Sequence, residues 1–487
     1  MENESSSLVC FSSIKLEEPK IKDISIESEI TLYSNKIKQK SFTLRFKYQD
    51  LPKKEHLPFF RLASIMPLLN YGLFSDKIKL NFPLSKSDLK LIKELNSVFS
   101  RDIFVNKILR RRANYILPEY IPNKTKIKSS NMQPKSKIIP LEIVNDDKLK
   151  IQIDTNRCGI LSSGGKESLL TYGILNEIGC EVFPFYVNES GGHWRTAIPA
   201  YRYHNSVNSR TRRVWTNVDR FYLFMLDNLQ FIRKDHRKIR ADTYPIRLCI
   251  FPFYIYLFLP LFIDNKIGNL LLGSEFDDLR SQPEYLGIAH YYGVYDQHQD
   301  FDVLMNSWFA KRVPGLKQWS AVRNISGLIV EKILVNRYPD LATHQRSCHS
   351  CHFENGNIVP CGTCSKCLGV LLFLLANKLD PTTLSFRKKD IIDFPKRVKE
   401  SALRLDQDEK NQSLYLIYEK ENIPKVKPVA HVEQIHINKK TCDLSIIPNH
   451  LRKKLLKIIE QYTQGFCILE NDIWKPIQKN EELILGS

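Results

Sequence analysis

The chain has 487 residues, 43% of them hydrophobic, and 72 Lys and Arg against 53 Asp and Glu give a net charge of +19. That length and apolar fraction are ordinary for a globular protein of two or three domains with a sizeable core. The charge directs the molecule toward anions, whether nucleotides, nucleic acid or an acidic surface, without choosing among them. Eleven cysteines is an odd number, and five of them crowd between Cys348 and Cys367. That is a metal pattern rather than a disulfide framework, and it implies a reducing, cytoplasmic setting.

Residues 1–40 are polar, rich in Ser, Glu and Lys, and are expected to be only partly ordered. The start M-E-N-E-S-S-S lacks the basic opening and apolar run of a signal peptide. Alternation in Phe42 to Phe46 and again in Ile78 to Phe82 predicts two half-buried strands, and from Ser85 the leucines recur at helical spacing. Residues 41–123 therefore read as a small α+β domain. Lysines between Lys124 and Lys137, with Arg110, Arg111 and Arg112 upstream, make 124–150 a basic linker leading into the next strand. Such a run is a solvated face or a groove for RNA or DNA phosphates.

From Cys158 the pattern alternates: strand 158–162, helix 166–178, strand 181–187, helices 214–231 and 247–264, strand 269–273. This predicts an α/β fold, a parallel twisted sheet with helices on both faces. The apolar stretch Leu248 to Ile263 carries Pro252 and Pro260 and is shorter than a membrane span, so it reads as a buried helix and no membrane partner is expected. Ligands of such sheets sit at the carboxyl ends of the strands. The first strand ends in Ser162, Ser163, Gly164, Gly165, Lys166, Glu167 and Ser168. Two glycines let backbone amides approach an anion, the following helix adds its N-terminal dipole, and Lys166 adds a full charge. The second strand ends in Val187, Asn188 and Glu189, followed by the flexible polar Gly191, Gly192 and His193; the third ends in Gly273, Ser274 and Glu275, then Asp277 and Asp278. Carboxylates there suit Mg2+, a hard cation.

Residues 284–324 are dense in Tyr, His, Trp and Arg, among them Tyr291, Tyr292, Tyr295, His298, Trp308, Arg312, Trp319 and Arg323. They suggest a lined pocket or partner surface, or simple core packing. Further on, Cys361, Cys364 and Cys367 follow one another at two-residue gaps, with nine residues between Cys351 and Cys361. Four such thiolates close a tetrahedral Zn2+ site with no open position, a structural rather than catalytic metal. Loop length favours Cys351 as the fourth ligand, with Cys348, His349 and His352 as alternatives, and an iron–sulfur cluster is the chemical rival. The apolar run after Cys367 is a buried helix, and 381–487 form a C-terminal extension with a last amphipathic helix from Leu451 to Tyr462.

The six residues S-G-G-K-E-S resemble the S-G-G-x-D-S signature of the PP-loop, or N-type, ATP pyrophosphatases, with Glu167 where that family has aspartate. A Walker A loop needs four residues between its glycines and is not present at this site. The resemblance implies an adenine nucleotide alpha hydrolase-like domain over 151–380 that splits ATP into AMP and pyrophosphate. Within it Lys166, Glu167 and Ser168 act in catalysis. Ser162, Ser163, Gly164, Gly165, Lys166, Ser168, Val187, Asn188, Gly273, Ser274 and Glu275 hold ATP. With the cysteines added, the pattern is similar to that of the 7-cyano-7-deazaguanine synthases and, less closely, the muramoyl-peptide glutamate epimerases. It implies a ligase that activates the carboxylate of a deazaguanine-like small molecule or a peptide. Longer relatives of the first group accompany bacterial antiviral systems, which adds a protein partner whose amine receives the activated group. Two other readings stand beside this one: a PP-loop enzyme modifying tRNA or DNA bases, and a non-catalytic nucleotide- or partner-binding module, either as a monomer or a homodimer.

Overall fold

The computed structural model describes residues 7–34, 37–111, 114–239, 244–278, 280, 284–291, 294–348, 350–400, 403, 405–418 and 425–478. Up to residue 150 its strands are β1 (Ser13–Leu16), β2 (Lys20–Lys22), β3 (Ser25–Ser34), β4 (Ile37–Lys47), β5 (Lys77–Leu80), β6 (Leu84–Ser85), β7 (Lys137–Pro140) and β8 (Ile143–Val144). Then come β9 (Asp154–Leu161), β10 (Glu181–Asn188), β11 (Arg212–Thr216), β12 (Ile267–Leu272) and β13 (Lys317–Trp319). Eleven of them form one sheet in the order β13-β12-β9-β10-β11-β4-β3-β1-β5-β7, with β2 beside β3; β6 and β8 pair apart.

The five strands β13 to β11 are mutually parallel; three of them, β9, β10 and β12, and the parallel sheet they belong to are the ones the sequence predicts. Residues 7–34 overturn the expectation of a loosely ordered start. Ile14, Leu16, Ile26, Ile30 and Leu32 are all fully buried, and their period of two fills one face of β1 and β3. The Ser- and Glu-rich composition hides that alternation because the intervening residues are the polar ones. Nor do residues 41–123 make a sheet of their own. β4 runs antiparallel to β11, pairing Phe46 with Thr216, and β7, from the expected basic linker, pairs with β5.

Alternation also assigns the faces of the parallel strands. Phe183, Phe185, Val214, Leu270 and Leu272 point into one core, shared with helices α1 (Leu57–Ile65), α2 (Lys86–Ile103), α5 (Val218–Asn228), α6 (Phe251–Asp264) and α7 (Gln299–Arg312). Cys158, Ile160, Val182, Tyr186 and Leu271 point into the other, shared with α3 (Lys166–Glu177), α4 (Gly192–Val207), α8 (Gly327–Arg337) and the helix Asn449–Ile459. Helices thus cover both faces of the parallel half. Ser85 caps α2 by accepting from Asp88 N–H at 3.1 Å, the start signal read from the sequence.

Two further expectations change. The predicted helix 214–231 opens as strand β11, because Val214 and Thr216 alternate into the sheet before Asn217 begins α5. Gly191, Gly192 and His193 are not a flexible segment but the start of the sixteen-residue α4. Leu248 to Ile263 is mostly α6, as expected, and among the described residues no helix is long and apolar enough to cross a membrane. Beyond residue 430 the tail adds a small sheet of Ile435–Ile437, Phe466–Glu470 and Ile473–Ile477.

Candidate functional site

β9 delivers the loop. Its apolar end is buried, and Ser162 N–H still donates to Phe185 O of β10 at 2.8 Å before the chain leaves the sheet. Gly164 takes a φ of +76°, a left-handed conformation that a side chain would strain. A Cβ there would also lie 3.1 Å from Ala200 Cβ of α4. Ser162 Oγ donates to Ser168 Oγ at 3.2 Å and accepts from Gly164 N–H at 3.4 Å, so the turn is tied across its mouth. α3 then begins at Lys166, preceded by an extended Gly165.

The end of β12 closes on this loop. A Cβ on Gly273 would lie 2.8 Å from Glu167 Cβ, so only glycine lets the two strand ends approach. The result is that Ser162 to Ser168 and Gly273 to Glu275, far apart in sequence, come together. Val187 is the penultimate residue of β10 and Asn188 its last, with the Asn188 side chain turned to the following loop, accepting from Ser190 N–H at 2.8 Å. Asp278 is engaged elsewhere, paired with Arg280 at 2.7 Å and accepting from Trp474 Nε1 at 2.9 Å.

Lys166 is the centre of the charge. Its side chain is nearly buried, and Nζ donates to Glu167 Oε1 and, at 2.6 Å, to Glu275 Oε2. Burial works against the ammonium, but the two carboxylates outweigh it and hold its pKa above the ordinary lysine value. Two more glutamates close in that the sequence reading did not single out. Glu409 accepts from Leu328 N–H at 3.2 Å, and burial, reinforced by Glu275, lifts its pKa to about 8. Glu331 accepts from Gln345 Nε2 at 3.0 Å, finds no partner for its other oxygen among the described residues, and is pushed by burial to about 7. Burial likewise raises Asp277, to about 6. Glu331 had a signal: it is an acid set among Leu328, Ile329, Val330 and Ile333. Glu409, in a charged tail, had none.

Cys348, Cys361, Cys364 and Cys367 bring their sulfurs within 4.8 Å of one another. The shorter separations are 3.3, 3.6 and 3.8 Å, near the ~3.8 Å edge of a tetrahedron with Zn–S bonds of about 2.3 Å. The donor set fits one tetrahedral ion such as zinc. This corrects the preference for Cys351. The chain after Cys348 turns, with Cys351 N–H donating to Cys348 O at 3.2 Å, and that turn puts Cys348 rather than Cys351 in the foursome. Cys351 instead stands beside the foursome, where a hydrogen bond to Cys348 lowers its pKa against the effect of burial and the nearby Arg346 charge adds to the lowering. His349 lies outside the described residues, and His352 faces Glu354 at 3.3 Å.

The thiolate loop and the Lys166 loop are one assembly. Arg346 N–H donates to Gly164 O at 3.1 Å, and Thr196 Oγ1 of α4 donates to Cys348 O at 2.9 Å. Lys366, between two of the cysteines, is solvent-exposed; the protein crowded around its ammonium lowers its pKa, while the Glu167 carboxylate opposes the shift. Phe373, two turns further along the helix Ser365–Ala376, lies under the Lys166 ammonium at 5.7 Å.

The aromatic stretch belongs to the core. Trp308 Nε1 donates to Asp88 and Trp319 Nε1 to Asn269; Arg323 pairs with Asp302 and Arg312 with Asp88. His298 caps α7, and Tyr292 lies outside the described residues. Comparison of the chain with protein-family models, with curated proteins and with solved structures returned no match.

Proposed function

We propose that the chain is an ATP-dependent adenylating enzyme of the PP-loop kind, a ligase that activates a carboxylate by forming an acyl adenylate with release of pyrophosphate. The observation that carries this reading is the convergence of Lys166, Glu167 and Glu275 on a Gly-Gly turn at the carboxyl ends of β9 and β12. That is where an open parallel sheet binds its ligands. The turn and the first turn of α3 supply amides for phosphate oxygens. Lys166 stabilises the departing pyrophosphate, and the hydroxyls of Ser163 and Ser168 orient the chain of phosphates.

The charge around Lys166 adds a requirement. The Lys166 ammonium is already paired with Glu167 and Glu275, and Glu331 and Glu409, with pKa values of about 7 and about 8, add partial negative charge behind them, so little positive charge is left to face a phosphate chain. A triphosphate entering alone is repelled; a bound Mg2+ would supply the Lewis acid that neutralises it, with Glu167 and Glu275 as the carboxylates closest to hold it. The four thiolates would hold a structural zinc that fixes the loop through Arg346 and α4. The resemblance to 7-cyano-7-deazaguanine synthases supplies the substrate class, a carboxylate on a deazaguanine-like molecule or a peptide.

Calorimetric titration with a non-hydrolysable ATP analogue, with and without Mg2+, tests the reading. Binding is expected only with Mg2+, and Lys166→Ala should weaken it by about tenfold or more while the circular dichroism spectrum is retained. Equal affinity without the metal, or an unchanged affinity in the variant, refutes it.

A further inference from the structure

Helix α4 and strand β11 build a basic, aromatic surface that the nucleotide reading does not use. Residues 190–218 hold five arginines and no Asp or Glu, where the chain's average would give about three acids. Two of the arginines are paired, Arg210 with Glu181 at 2.7 Å and Arg212 with Asp50 at 3.3 Å, and among the described residues no carboxylate pairs with Arg195, Arg202 or Arg213. Arg195 donates to Cys351 O at 3.1 Å. The Arg213 guanidinium lies 5.6 Å from the Trp194 ring centre and 5.4 Å from that of Tyr201, a cation–π contact.

The sheet leaves this region uncovered. Val214 and Thr216 of β11 are fully buried, so alternation turns Arg213 and Trp215 to the opposite face. Strand β4 continues the pattern: Leu44 and Phe46 are buried, Arg45 and Lys47 are exposed, and Lys47 stands directly across from Trp215. Among the described residues, the core on that opposite face takes no side chain from before residue 158. β11 and β4 therefore form an open floor beside α4. Trp194 and Tyr201, two turns apart on α4 and half-buried, make the wall of that floor, with Arg202 exposed next to them. The carboxylates nearest this path are engaged, Asp50 by Arg212 and Glu27 by Lys22 and Arg45.

The mixture of groups defines the partner. Cations without carboxylates, spread over a helix and two strands, suit a chain that carries a negative charge on every unit. Indole and phenol faces suit flat rings, which stack on them whatever their order. An acidic bilayer offers the charges without the rings, and a duplex keeps its rings inside. We propose that Trp194, Tyr201, Arg202, Arg213, Trp215 and Lys47 form a docking surface for single-stranded nucleic acid. The phosphates lie along Arg202, Arg213 and Lys47, and the unpaired bases stack on Trp215 and against the α4 rings. This surface stands apart from the nucleotide reading and holds whether or not the Lys166 loop takes ATP.

The test uses the full chain and a fluorescein-labelled, mixed-sequence DNA strand of about 20 nucleotides, followed by anisotropy. Binding is expected at about 50 mM salt and should weaken as salt is added, with log K falling against log[salt] at a slope of about −2 for three neutralised phosphates. Arg202→Ala with Arg213→Ala should lower the affinity about tenfold or more and flatten that slope by about 1. Trp215→Ala should lower it about fivefold or more and leave the slope unchanged, since stacking releases no counterions. Lys453→Ala with Lys457→Ala removes the same charge from the exposed side of the helix Asn449–Ile459, and should change the affinity by less than about twofold. The proposal is overturned if the strand does not bind, if the lysine pair matters as much as the arginine pair, if the same sequence binds as tightly when made duplex, or if the arginine pair is needed only for phosphatidylserine vesicles. Should the arginine pair fail to fold, Arg202→Glu alone, at an exposed side chain, decides: an affinity about tenfold lower supports the surface, and an unchanged one overturns it.

Discussion

Glu331 offers the most direct check on the balance of charge around Lys166. Its carboxyl sits on α8, fully buried, with one oxygen bonded to Gln345 and the other without a partner among the described residues. Burial lifts its pKa from 4.5 to about 7. Between those values the folded chain keeps a proton that the unfolded chain has released, so the folded state is favoured at low pH. That advantage is fully present below about pH 4.5 and is lost as the pH rises through about 7. At about 1.4 kcal/mol for each pH unit, the gap amounts to about 3 kcal/mol. Unfolding entropy of about 2.1 cal/mol/K per residue gives a chain of this length about 1 kcal/mol/K, so the loss corresponds to a midpoint shift of about 3 °C. Glu331→Gln keeps the shape and removes the titration. Scanned at one heating rate from pH 5 to pH 8, the unmodified chain should fall by about 3 °C relative to the variant, since groups common to both largely cancel. Midpoints that run parallel across that range, within about 1 °C, refute the reasoning.

The thiolate centre predicts that Cys348→Ser loses its zinc while Cys351→Ser retains about one equivalent, as read by mass spectrometry of the purified proteins. The reverse result would restore the sequence-based choice of ligand. Gly164→Ala combines a strained φ with a 3.1 Å contact to Ala200, and should lower stability by about 1–3 kcal/mol in denaturant unfolding. An unchanged midpoint would mean the turn is free to rearrange. His436 is buried and stacked on Phe276 at 3.6 Å, and burial depresses its pKa to about 3. Its contribution has the opposite sign to that of Glu331: it is present above the unfolded value of about 6.5 and is lost as the pH falls. Hydrogen exchange, corrected for intrinsic rate, should therefore accelerate in 435–437 and 466–470 between pH 7 and pH 5, and His436→Gln should flatten that response.

Much of the parallel half was legible because its strands are short apolar runs closed by glycines. Cys158 to Gly165 and Leu270 to Gly273 announce both a strand and its ligand-facing end. Residues 7–34 were misread because the buried faces of β1 and β3 are diluted by Ser, Glu and Lys on the exposed side, so composition spoke louder than alternation. Strand β11 was hidden in a helical pattern, since Val214 and Val218 are also four apart. At the site, spacing alone gathered Lys166, Glu167 and Glu275. It could not choose Cys348 over Cys351, because loop length fixes reach but not the direction of a turn. Glu409 was beyond reach altogether: its position beside Gly327 depends on a long-range docking of the tail that leaves no local pattern.

The pairing of β4 with β11 has a bearing on how the chain can be cut or recombined. Without residues 7–111, the outer strand of the parallel half would present unsatisfied amides and carbonyls along its length, ready to pair with any other chain. The opening hundred residues therefore act as a built-in edge guard. A fragment beginning at the basic linker would be expected to aggregate before its chemistry could be assayed.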